Sequence, residues 1–559
     1  MKGKKLSKIL TALLILTSLF VAVGCGKKNP QTPNTPNNGV EDGGNKEGSD
    51  KGNGEETPEA PKTLADYDKA SSFKYFNIAA GVEEDEFNNG LTATLIKEHT
   101  GYDVHFDQAP ADATDAQTAV TNIFMLKSDY QAVKVTKAQF YTLLEMDALA
   151  PITEYVNAST NLKDAVSDFG WETAKKDGEI YAIPQKNARA VNNTAIAFRV
   201  DWLNEYNEAN PDAQIPVPSE ENNYSMTLSD FKTMLEFFAT KVPEGGKAFA
   251  VDTNSVFIEN ILPAFGIYNE WADINGKLEF VINQPGFMEY TAYMEDLFDN
   301  GLIQYQATAN DNGAVKSLQA KTVGAGRIAH WNAATIEVSE TAATDDTISY
   351  IAGLIPDENK GDGSKVRVFA TEGYTYYTVI PKYATPEQIA AVIDWSDKKL
   401  EKEFFLKMAL GTEGETFTIE NGEYYPILPA FDEKQNLADK YMDGTREADY
   451  ELYWLCRTRK TQAQDKMFSR ANYNIGQTGI QSPISVMPPN SVFDTYYLGL
   501  SVEIKDALVK TMFQSGVSTS LDEIKTVYNA FEGESVTNAV NEWYSTWELK
   551  DSFNPVKPR

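Results

Sequence analysis

The chain has 559 residues, a formal net charge of −31, an apolar fraction of 42% and an aromatic fraction of 11%. An acidic surface of this strength repels phosphate backbones and anionic lipid headgroups, so we expect no nucleic-acid partner and no basic membrane-binding surface. The length is too great for one compact core and favours two or three lobes. The two cysteines, Cys25 and Cys456, provide no disulfide framework, and we expect Cys456 to be buried and free.

The amino-terminal segment has the pattern of an export signal. Lysines within the first eight residues precede an apolar run over residues 9–23, which is too short for a membrane span of about 20 residues. The run ends at Ala22-Val23-Gly24-Cys25, which resembles the bacterial lipobox, in which the cysteine is acylated and becomes the new amino terminus. We therefore predict a lipoprotein signal peptide over residues 1–24 and lipidation at Cys25. The alternative is an ordinary secretory signal with an incidental cysteine.

The segment that follows Cys25 has the composition of a linker. It is rich in Asn, Pro, Gly, Lys, Glu and Thr and almost free of apolar side chains. Such a segment cannot offset the entropy lost on ordering, so we predict that residues 25–64 are the lipidated cysteine and a disordered tether. A flexible chain of this length spans roughly 35 Å, which would let the folded body reach a partner in the same membrane.

Strand and helix patterns alternate from about Ala65 onward, which favours an α/β fold. We predict strands over residues 75–79, 180–183, 195–200 and 376–380. We predict tight hairpin turns at Asp177-Gly178, Asn275-Gly276 and Asn421-Gly422, because these dipeptides tolerate positive φ angles.

Helix starts are marked by capping residues. Thr227 precedes an apolar face with helical spacing, and Thr385 is followed by proline and, three positions on, by glutamine. The helical pattern from Thr385 ends by Gly411. A third helix is predicted where apolar residues recur from Phe287 and stop at Gly301, a favourable residue just past a helix end.

Motifs of the common enzyme classes are missing from the sequence. The three histidines lack zinc-binding spacing, and there is no Gly-x-Ser-x-Gly elbow, no P-loop and no EF-hand calcium loop. Gly324-Ala325-Gly326 loosely matches the dinucleotide fingerprint, but small residues that let a strand pack closely are the simpler interpretation. The acidic run over residues 83–86 is interpreted as a solvated surface. We expect no metal, no cofactor and no catalytic residue.

Planar side chains are abundant, with 8 Trp and 28 Tyr. A sugar ring presents flat C–H faces and a rim of hydroxyls, so a sugar site needs an aromatic platform with polar side chains around it. Three segments have that character: His330-Trp331-Asn332, Glu372-Gly373-Tyr374 and the stretch from Lys186 to Arg189. Core packing is the simpler interpretation for any single aromatic residue, and we assign Trp395 to the core.

Four segments, in order along the chain, resemble motifs of one known family. They are residues 147–156 (DALAPITEYV), 177–184 (DGEIYAIP), 198–203 (FRVDWL) and 411–417 (GTEGETF). Over about residues 73–425 the chain resembles the extracellular solute-binding proteins, family 1, of carbohydrate ABC importers, in their lipoprotein branch. The resemblance implies an α/β fold of the two-lobed periplasmic-binding-protein type II (maltose-binding-protein-like), with a hinge between the lobes and ligand in the cleft.

The resemblance also implies a domain organisation and partners. Lobe 1 would comprise residues 65–190 plus 370–440, and lobe 2 residues 191–369 plus 441–559, because the chain crosses between lobes more than once. A monomer that is not an enzyme would capture an oligosaccharide and deliver it to the permease subunits of an ABC transporter. Its lipid anchor would hold it on the outer, extracellular face of the bacterial cytoplasmic membrane.

Candidate ligand-binding residues come from matching the cleft positions of that family. Asp129 and Tyr130 stand in a segment that matches a strand end facing the cleft, and Trp331 matches a position that commonly stacks on sugar. Together with Arg189 and Glu372 from the segments named above, these give our prediction that hydroxyls are held by Asp129, Arg189 and Glu372 and that rings stack on Tyr130, Trp331 and Tyr374. Trp271 and Trp454 are weaker candidates. Residues 242–246 lack the spaced acidic side chains of a calcium loop found in some relatives, so no calcium is predicted.

Two alternative functions remain open on the sequence. One is a binding protein for another solute, such as a peptide or an anionic, uronate-bearing sugar, which would require Lys186 or Arg189 to point into the cleft. The other is an exported glycan-cleaving enzyme, which would require two carboxyl groups about 5–10 Å apart across the cleft.

Overall fold

The computed structural model describes residues 62–186, 191–252, 256–306, 313–335, 347–370, 373–435, 437–514 and 521–553. The predicted signal peptide, Cys25 and nearly all of the predicted tether lie outside these residues. Residues 61–559 form one compact unit. Within the described part of the chain, no helix is both long and apolar enough to cross a membrane.

Strands and helices alternate along the described chain. The strands are β1 (Ser72–Asn77), β2 (Asp103–Gln108), β3 (Ala132–Thr136), β4 (Lys175–Lys176), β5 (Glu179–Ile180), β6 (Ala182–Lys186), β7 (Thr194–Arg199), β8 (Ser225–Thr227), β9 (Phe249–Asp252), β10 (Trp271–Ile274), β11 (Lys277–Phe280), β12 (Ile303–Gln306), β13 (Ala325–Ala329), β14 (Ile348–Ile351), β15 (Gly353–Ile355), β16 (Val368–Phe369), β17 (Tyr374–Val379), β18 (Phe417–Glu420), β19 (Glu423–Pro426) and β20 (Gly479–Ile480).

The α-helices are α1 (Glu84–Asn89), α2 (Leu91–Thr100), α3 (Ala113–Met125), α4 (Lys137–Glu145), α5 (Thr153–Ala158), α6 (Leu162–Ala165), α7 (Asp168–Thr173), α8 (Val200–Ala209), α9 (Leu228–Ala239), α10 (Phe287–Asp299), α11 (Gly313–Gln319), α12 (Pro386–Lys399), α13 (Lys402–Leu410), α14 (Ala430–Gln435), α15 (Glu447–Thr458), α16 (Gln462–Ala471), α17 (Ile475–Thr478), α18 (Ser491–Phe513), α19 (Leu521–Ala530), α20 (Gly533–Thr546) and α21 (Lys550–Phe553).

The first large sheet has the strand order β2-β1-β3-β17-β6. β1 pairs in parallel with β2 and β3, whereas β17 runs antiparallel to β3 and to β6. β6 therefore points the same way as β1, β2 and β3. Parallel strands are covered on both faces, which explains why β3 is buried over four of its five residues, with Ala132, Val133 and Val135 fully buried.

The second large sheet has the strand order β12-β9-β13-β7-β14. β9 pairs in parallel with β12 and β13, and β7 runs antiparallel to β13 and β14. Four of its strands therefore share one direction, and β7 is the reversed member. Both sheets are thus mixed, with their parallel strands connected through helices.

The two sheets draw on different parts of the chain. The first takes its strands from residues 72–186 and 374–379, and the second takes all of its strands from residues 194–351. The chain leaves the first sheet after β6, builds the second and returns with β17. The lobe boundaries proposed from the sequence stay a prediction.

All three predicted hairpin turns are present. Asp177-Gly178 joins β4 to β5, Asn275-Gly276 joins β10 to β11, and Asn421-Gly422 joins β18 to β19. Both residues of each turn have positive φ, between 52° and 86°. This backbone matches the twist of the flanking strands, so the dipeptides specify the turns directly.

The predicted helix starts are also confirmed. The Thr227 hydroxyl accepts a hydrogen bond from the backbone N–H of Asp230, and Thr385 and Gln388 form a capping box at the start of α12. The pattern that ends by Gly411 is two helices rather than one, because Glu401 has an extended backbone between α12 and α13. The predicted strands are present, with ends shifted by one to three residues, except that the strand over residues 180–183 is divided between β5 and β6.

Several predictions about packing are borne out. Trp395 and Cys456 are fully buried, and burial raises the pKa of the Cys456 thiol to about 12, so it stays protonated and inert. A Cβ added at Gly324 would lie 2.4 Å from Cδ2 of Phe238, so glycine there lets β13 approach α9. The acidic run over residues 83–86 is exposed as expected, although it opens helix α1 instead of lying in a loop.

Candidate functional site

The first sheet has one edge at which strand ends converge. β1, β2, β3 and β6 all end there, at Asn77, Gln108, Thr136 and Lys186, and the reversed strand β17 begins there. In open α/β sheets, ligands bind in the crevice outside the carboxyl ends of the strands. The loops that follow β1 and β2 are therefore placed where a ligand would be expected.

A cavity of about 860 Å³ opens at this edge. It is lined by Ile78, Ala79, Ala80, Gly81, Val82, Glu83, Gln108, Ala109, Pro110, Ala111, Ala116, Gln117, Thr136, Gln139 and Tyr376. Small residues after β1 and β2 leave the space open, and Tyr376 supplies a phenol ring at its border. The volume lies within the range typical of small-molecule sites, about 300–1,000 Å³.

A second cavity of about 280 Å³ adjoins the first, since both are lined by Ala79 and Tyr376. Lys134, Gln185, Asp439, Lys440 and Tyr450 also line the second cavity, together with Thr375. The ammonium of Lys134 lies 5.5 Å from the centre of the Tyr376 ring and donates a hydrogen bond of 2.8 Å to the carbonyl of Met442. Burial lowers the pKa of Lys134 to about 8.

The segment that carries Asp439 and Lys440 is held in place by buried hydrogen bonds and an ion pair. Asn77 donates a hydrogen bond of 2.7 Å to the carbonyl of Lys440. The buried side chains of Lys399 and Asp443 form an ion pair, and Lys399 also donates to the carbonyl of Tyr441. Residues 439–443 are thereby held against the carboxyl end of the first sheet, beside Tyr376.

Gln185 is an unsatisfied polar group at this edge. Its side chain is 6% exposed and lines the smaller cavity, and its Oε1 atom has no hydrogen-bond partner in the described structure. Buried amide oxygens are normally paired, because leaving one unpaired costs about 1–3 kcal/mol. An unpaired acceptor beside a cavity is therefore a natural contact for a ligand hydroxyl.

Tyr374 is built into the same edge as a supporting side chain. It is buried, and its hydroxyl donates a hydrogen bond of 2.7 Å to Glu447 Oε1 and lies 3.0 Å from the hydroxyl of Ser167. Lys186 Nζ lies 3.5 Å from Glu447 Oε2. Glu447 is the first residue of α15, so this cluster connects the end of β6 and the start of β17 to that helix.

The corresponding edge of the second sheet carries an exposed indole. β13 ends at Ala329 and is followed by a short 3-10 turn over His330–Asn332, in which Trp331 is 56% exposed. His330 is buried, and its ring meets those of Trp331 and Trp454 edge-on at 5.1 and 5.7 Å. Burial lowers the pKa of His330 to about 4, so the imidazole is neutral at pH 7.

Helix α15 links the two edges. Glu447 at its start contacts Tyr374 of the first sheet, and Trp454 contacts His330, which follows β13 of the second. Seven residues of α-helix span about 10 Å at 1.5 Å per residue. Tyr450, between these two residues, lines the smaller cavity beside Tyr376. The contacts that α15 makes with the two strand-end regions are therefore about 10 Å apart along the helix.

The structure places the sequence-derived site residues in three groups. Trp331 and Tyr374 lie at the two carboxyl edges just described. Asp129 and Tyr130 precede β3 at its amino end. Asp129 accepts a hydrogen bond from Gln131 there, whereas the Tyr130 side chain reaches towards the carboxyl ends of β1 and β2, where its ring lies 5.5 Å from that of Phe76 and its hydroxyl donates to Asp107 Oδ2 at 3.0 Å. Arg189 and Glu372 lie outside the described residues. The ligand roles assigned to all six stay predictions.

The weaker candidates differ from one another. Trp271 is 1% exposed and packs among aromatic rings, as expected for a core residue, whereas Trp454 is partly exposed beside His330. Sequence reasoning missed Tyr376 and Gln185 as site residues. One signal was available for Tyr376, because it begins a predicted strand and so stands at an element end.

Comparison with curated proteins finds two distant relatives. The chain is 27% identical over 257 residues to a protein of Niallia circulans described as "Uncharacterized protein in butB 5'region", a match to 46% of this chain and 98% of that protein. It is 22% identical over 352 residues to Lipoprotein LipO of Bacillus subtilis, a match to 59% of this chain and 64% of LipO. This chain therefore spans just under two thirds of LipO, and no family model matches it.

Solved structures decide the fold. The ABC-transporter substrate-binding protein FusA of S. pneumoniae, solved in complex with kestose, superposes with a TM-score of 0.58 at 15% identity, over 86% of this chain and 100% of FusA. A solute-binding protein of Bifidobacterium longum infantis, described as HMO binding, gives a TM-score of 0.60 at 11% identity, over 86% and 99%. The alginate-binding protein AlgQ2 gives 0.56 at 16% identity, over 87% and 100%.

The chain has the fold of an ABC-transporter substrate-binding protein. The resemblance drawn from the order of the sequence motifs is confirmed, and so is the α/β, two-lobed periplasmic-binding-protein type II fold class. FusA and the Bifidobacterium protein are described as binding proteins of ABC transporters, and AlgQ2 as an alginate-binding protein.

Proposed function

We propose that the chain is a lipid-anchored extracellular solute-binding protein that captures an oligosaccharide and delivers it intact to the permease of an ABC importer. The observation that carries this proposal is the pairing of Tyr376, beside a cavity of about 860 Å³, with the exposed Trp331 on the other sheet. Aromatic rings on both sheets would match the flat C–H faces of a sugar chain, and the polar side chains near them would meet its hydroxyl rim.

The binding step would join the two strand-end regions. A sugar stacked on Tyr376 would reach the unpaired Oε1 of Gln185, and its far end would reach Trp331 across α15. Contacts with both sheets exist only when the lobes are close, so the ligand would favour a closed state by that difference in contacts. The six residues singled out from the sequence, Asp129, Tyr130, Arg189, Trp331, Glu372 and Tyr374, remain candidates beside Tyr376 and Gln185.

The proposed anchor and partners follow from likeness to named proteins. LipO is named a lipoprotein, which supports acylation at Cys25, and FusA is named an ABC-transporter substrate-binding protein, which supports delivery to a permease. We propose that the protein works as a monomer on the outer face of the bacterial cytoplasmic membrane. It makes and breaks no bond, since delivery requires the sugar intact.

A glycan screen tests this function directly. The purified full chain is applied to an array of oligosaccharides, and each bound sugar is then incubated with the protein and analysed by mass spectrometry. We expect saturable binding of one related set of oligosaccharides, recovered at unchanged mass. A lack of saturable binding to any oligosaccharide, or recovery of shortened sugars, would contradict the proposal.

A further inference from the structure

We propose that the cavity at the edge of the first sheet accepts an uncharged oligosaccharide and rejects one that carries uronate carboxylates. This inference rests on the proposed function and narrows its substrate class. Proteins that share the fold do not show whether the sugar bound here is neutral or anionic, because that preference is set by the side chains of the site and not by the fold.

Among the residues that the structure describes, none that lines the larger cavity carries a positive charge. Glu83 is the one charged side chain among the described residues that line it. Glu84, Asp85 and Glu86 follow directly and are exposed, so residues 83–86 form an acidic lip. A carboxylate entering past this lip would be repelled over the screening distance of about 8 Å at physiological salt.

Each lysine near Tyr376 already has a partner within the protein. Lys134 donates to the carbonyl of Met442 at 2.8 Å, and Lys440 Nζ lies 3.5 Å from Asp439 Oδ2. Lys186, which would have to point into the cleft to bind an anionic sugar, lies 3.5 Å from Glu447 Oε2 in a pair that is largely buried. Moving it to a ligand would leave Glu447 with an uncompensated buried charge, which is strongly unfavourable.

The hydrogen-bonding capacity that remains unmet near the two edges is uncharged. Three of the buried side-chain atoms that have no hydrogen-bond partner in the described structure belong to residues discussed above at these edges: Gln185 Oε1, Trp454 Nε1 and His330 Nδ1. An amide oxygen, an indole N–H and an imidazole nitrogen pair well with hydroxyls, which both donate and accept. The Gln185 oxygen is an acceptor, so it suits a hydroxyl and would repel a carboxylate.

Matched sugars provide the test. Oligouronides prepared from pectin and alginate are compared by titration calorimetry with the same oligomers after chemical reduction of each carboxyl group to a primary alcohol, alongside other neutral glycans. The full chain, purified from membranes in detergent, is used throughout. We expect a neutral sugar to bind and its uronate counterpart to bind at least about tenfold more weakly, as like charges in an interface oppose association.

The outcomes separate the two levels of the proposal. A uronate that binds as tightly as its reduced counterpart, or more tightly, overturns the inference and leaves the function as a sugar receptor standing. If neither neutral sugars nor uronates bind, both this inference and the proposed function are contradicted.

A lip variant checks the cause of the discrimination. The substitutions Glu84→Gln and Asp85→Asn remove two exposed charges beside the cavity, and Glu145→Gln with Asp147→Asn removes two at the far end of α4 as a matched control. We expect the lip variant to bind uronates at least about threefold more tightly at low salt, where surface charges are least screened, and the control to leave uronate binding unchanged. Equal effects of the two variants would overturn the electrostatic argument.

Discussion

Tyr376 is the aromatic side chain that borders both cavities, and its ring is held by the Lys134 ammonium 5.5 Å away. We expect Tyr376→Ala to weaken sugar binding about tenfold, the effect of losing roughly 1.4 kcal/mol of ring contact. Titration calorimetry measures the change. Tyr496→Ala, on the exposed side of α18, is the matched control and should bind as the unaltered protein does. Equal affinity of the two variants would remove Tyr376 from the site.

Lys134 makes folding stability depend on pH. Burial lowers its pKa to about 8 in the folded protein, whereas an unfolded chain holds a lysine proton up to about pH 10. Between these values the unfolded state binds more protons, so the free energy of unfolding rises with pH from about 8 towards 10. We expect the urea midpoint to rise over that window, and Lys134→Met to reduce the rise without abolishing it, because burial also lowers the pKa of Lys399 to about 8.

Urea denaturation at fixed pH, followed by circular dichroism, makes this comparison. An identical rise in the variant and in the unaltered protein would show that Lys134 does not titrate in this window. A fall in the midpoint between pH 8 and 9.5 in the unaltered protein would contradict the sign of the effect.

At the scale of elements, two glycines should respond to alanine in opposite directions. Gly324→Ala places a methyl group 2.4 Å from the Phe238 ring between β13 and α9, so we expect a loss of about 1–3 kcal/mol. Gly499 lies inside the exposed part of α18 with nothing within 4 Å, so Gly499→Ala should stabilise by about 0.5–1 kcal/mol. Thermal denaturation of both variants measures whether each substitution raises or lowers stability. A stabilising Gly324→Ala would contradict the close packing of β13 against α9.

Elements specified by neighbouring residues were predictable from the sequence. The Asn275-Gly276 turn and the Thr385 cap each depend on a few adjacent residues, and both were found as expected. Strand pairing was not predictable in this way. The place of β17 between β3 and β6 joins residues nearly two hundred positions apart, and no local pattern encodes that neighbour.

At the scale of the whole molecule, the site residues were predictable only where a local sequence pattern marked them. Trp331 was found because an indole at an element end is conspicuous, and it is exposed at a carboxyl edge. Tyr376 and Gln185 were missed, because they become site residues only where β17 lies beside β6 and the segment around Lys440 closes over them. Asp129 and Tyr130 precede β3, and the direction of a strand, which decides the edge at which a residue lies, is a property of the assembled sheet.

The anchor proposed for the molecule depends on one residue. We expect Cys25→Ser to move the protein from the membrane fraction to the soluble or secreted fraction, since the lysines of the tether are scattered among acidic residues and its apolar side chains are too few to hold it on lipid. Fractionation and immunoblotting of cells that produce each form measure this. Retention of the variant in the membrane fraction would contradict lipid anchoring at Cys25.

The central claim is that one intact oligosaccharide bridges the strand ends of both sheets. A crystal structure of the protein with the sugar selected in the glycan screen tests it most directly. We predict an uncleaved sugar that stacks on the Tyr376 ring, donates a hydroxyl hydrogen bond to Oε1 of Gln185 and contacts Trp331. A sugar bound elsewhere on the molecule, or one that touches a single sheet with Tyr376 and Trp331 both free, would contradict the account.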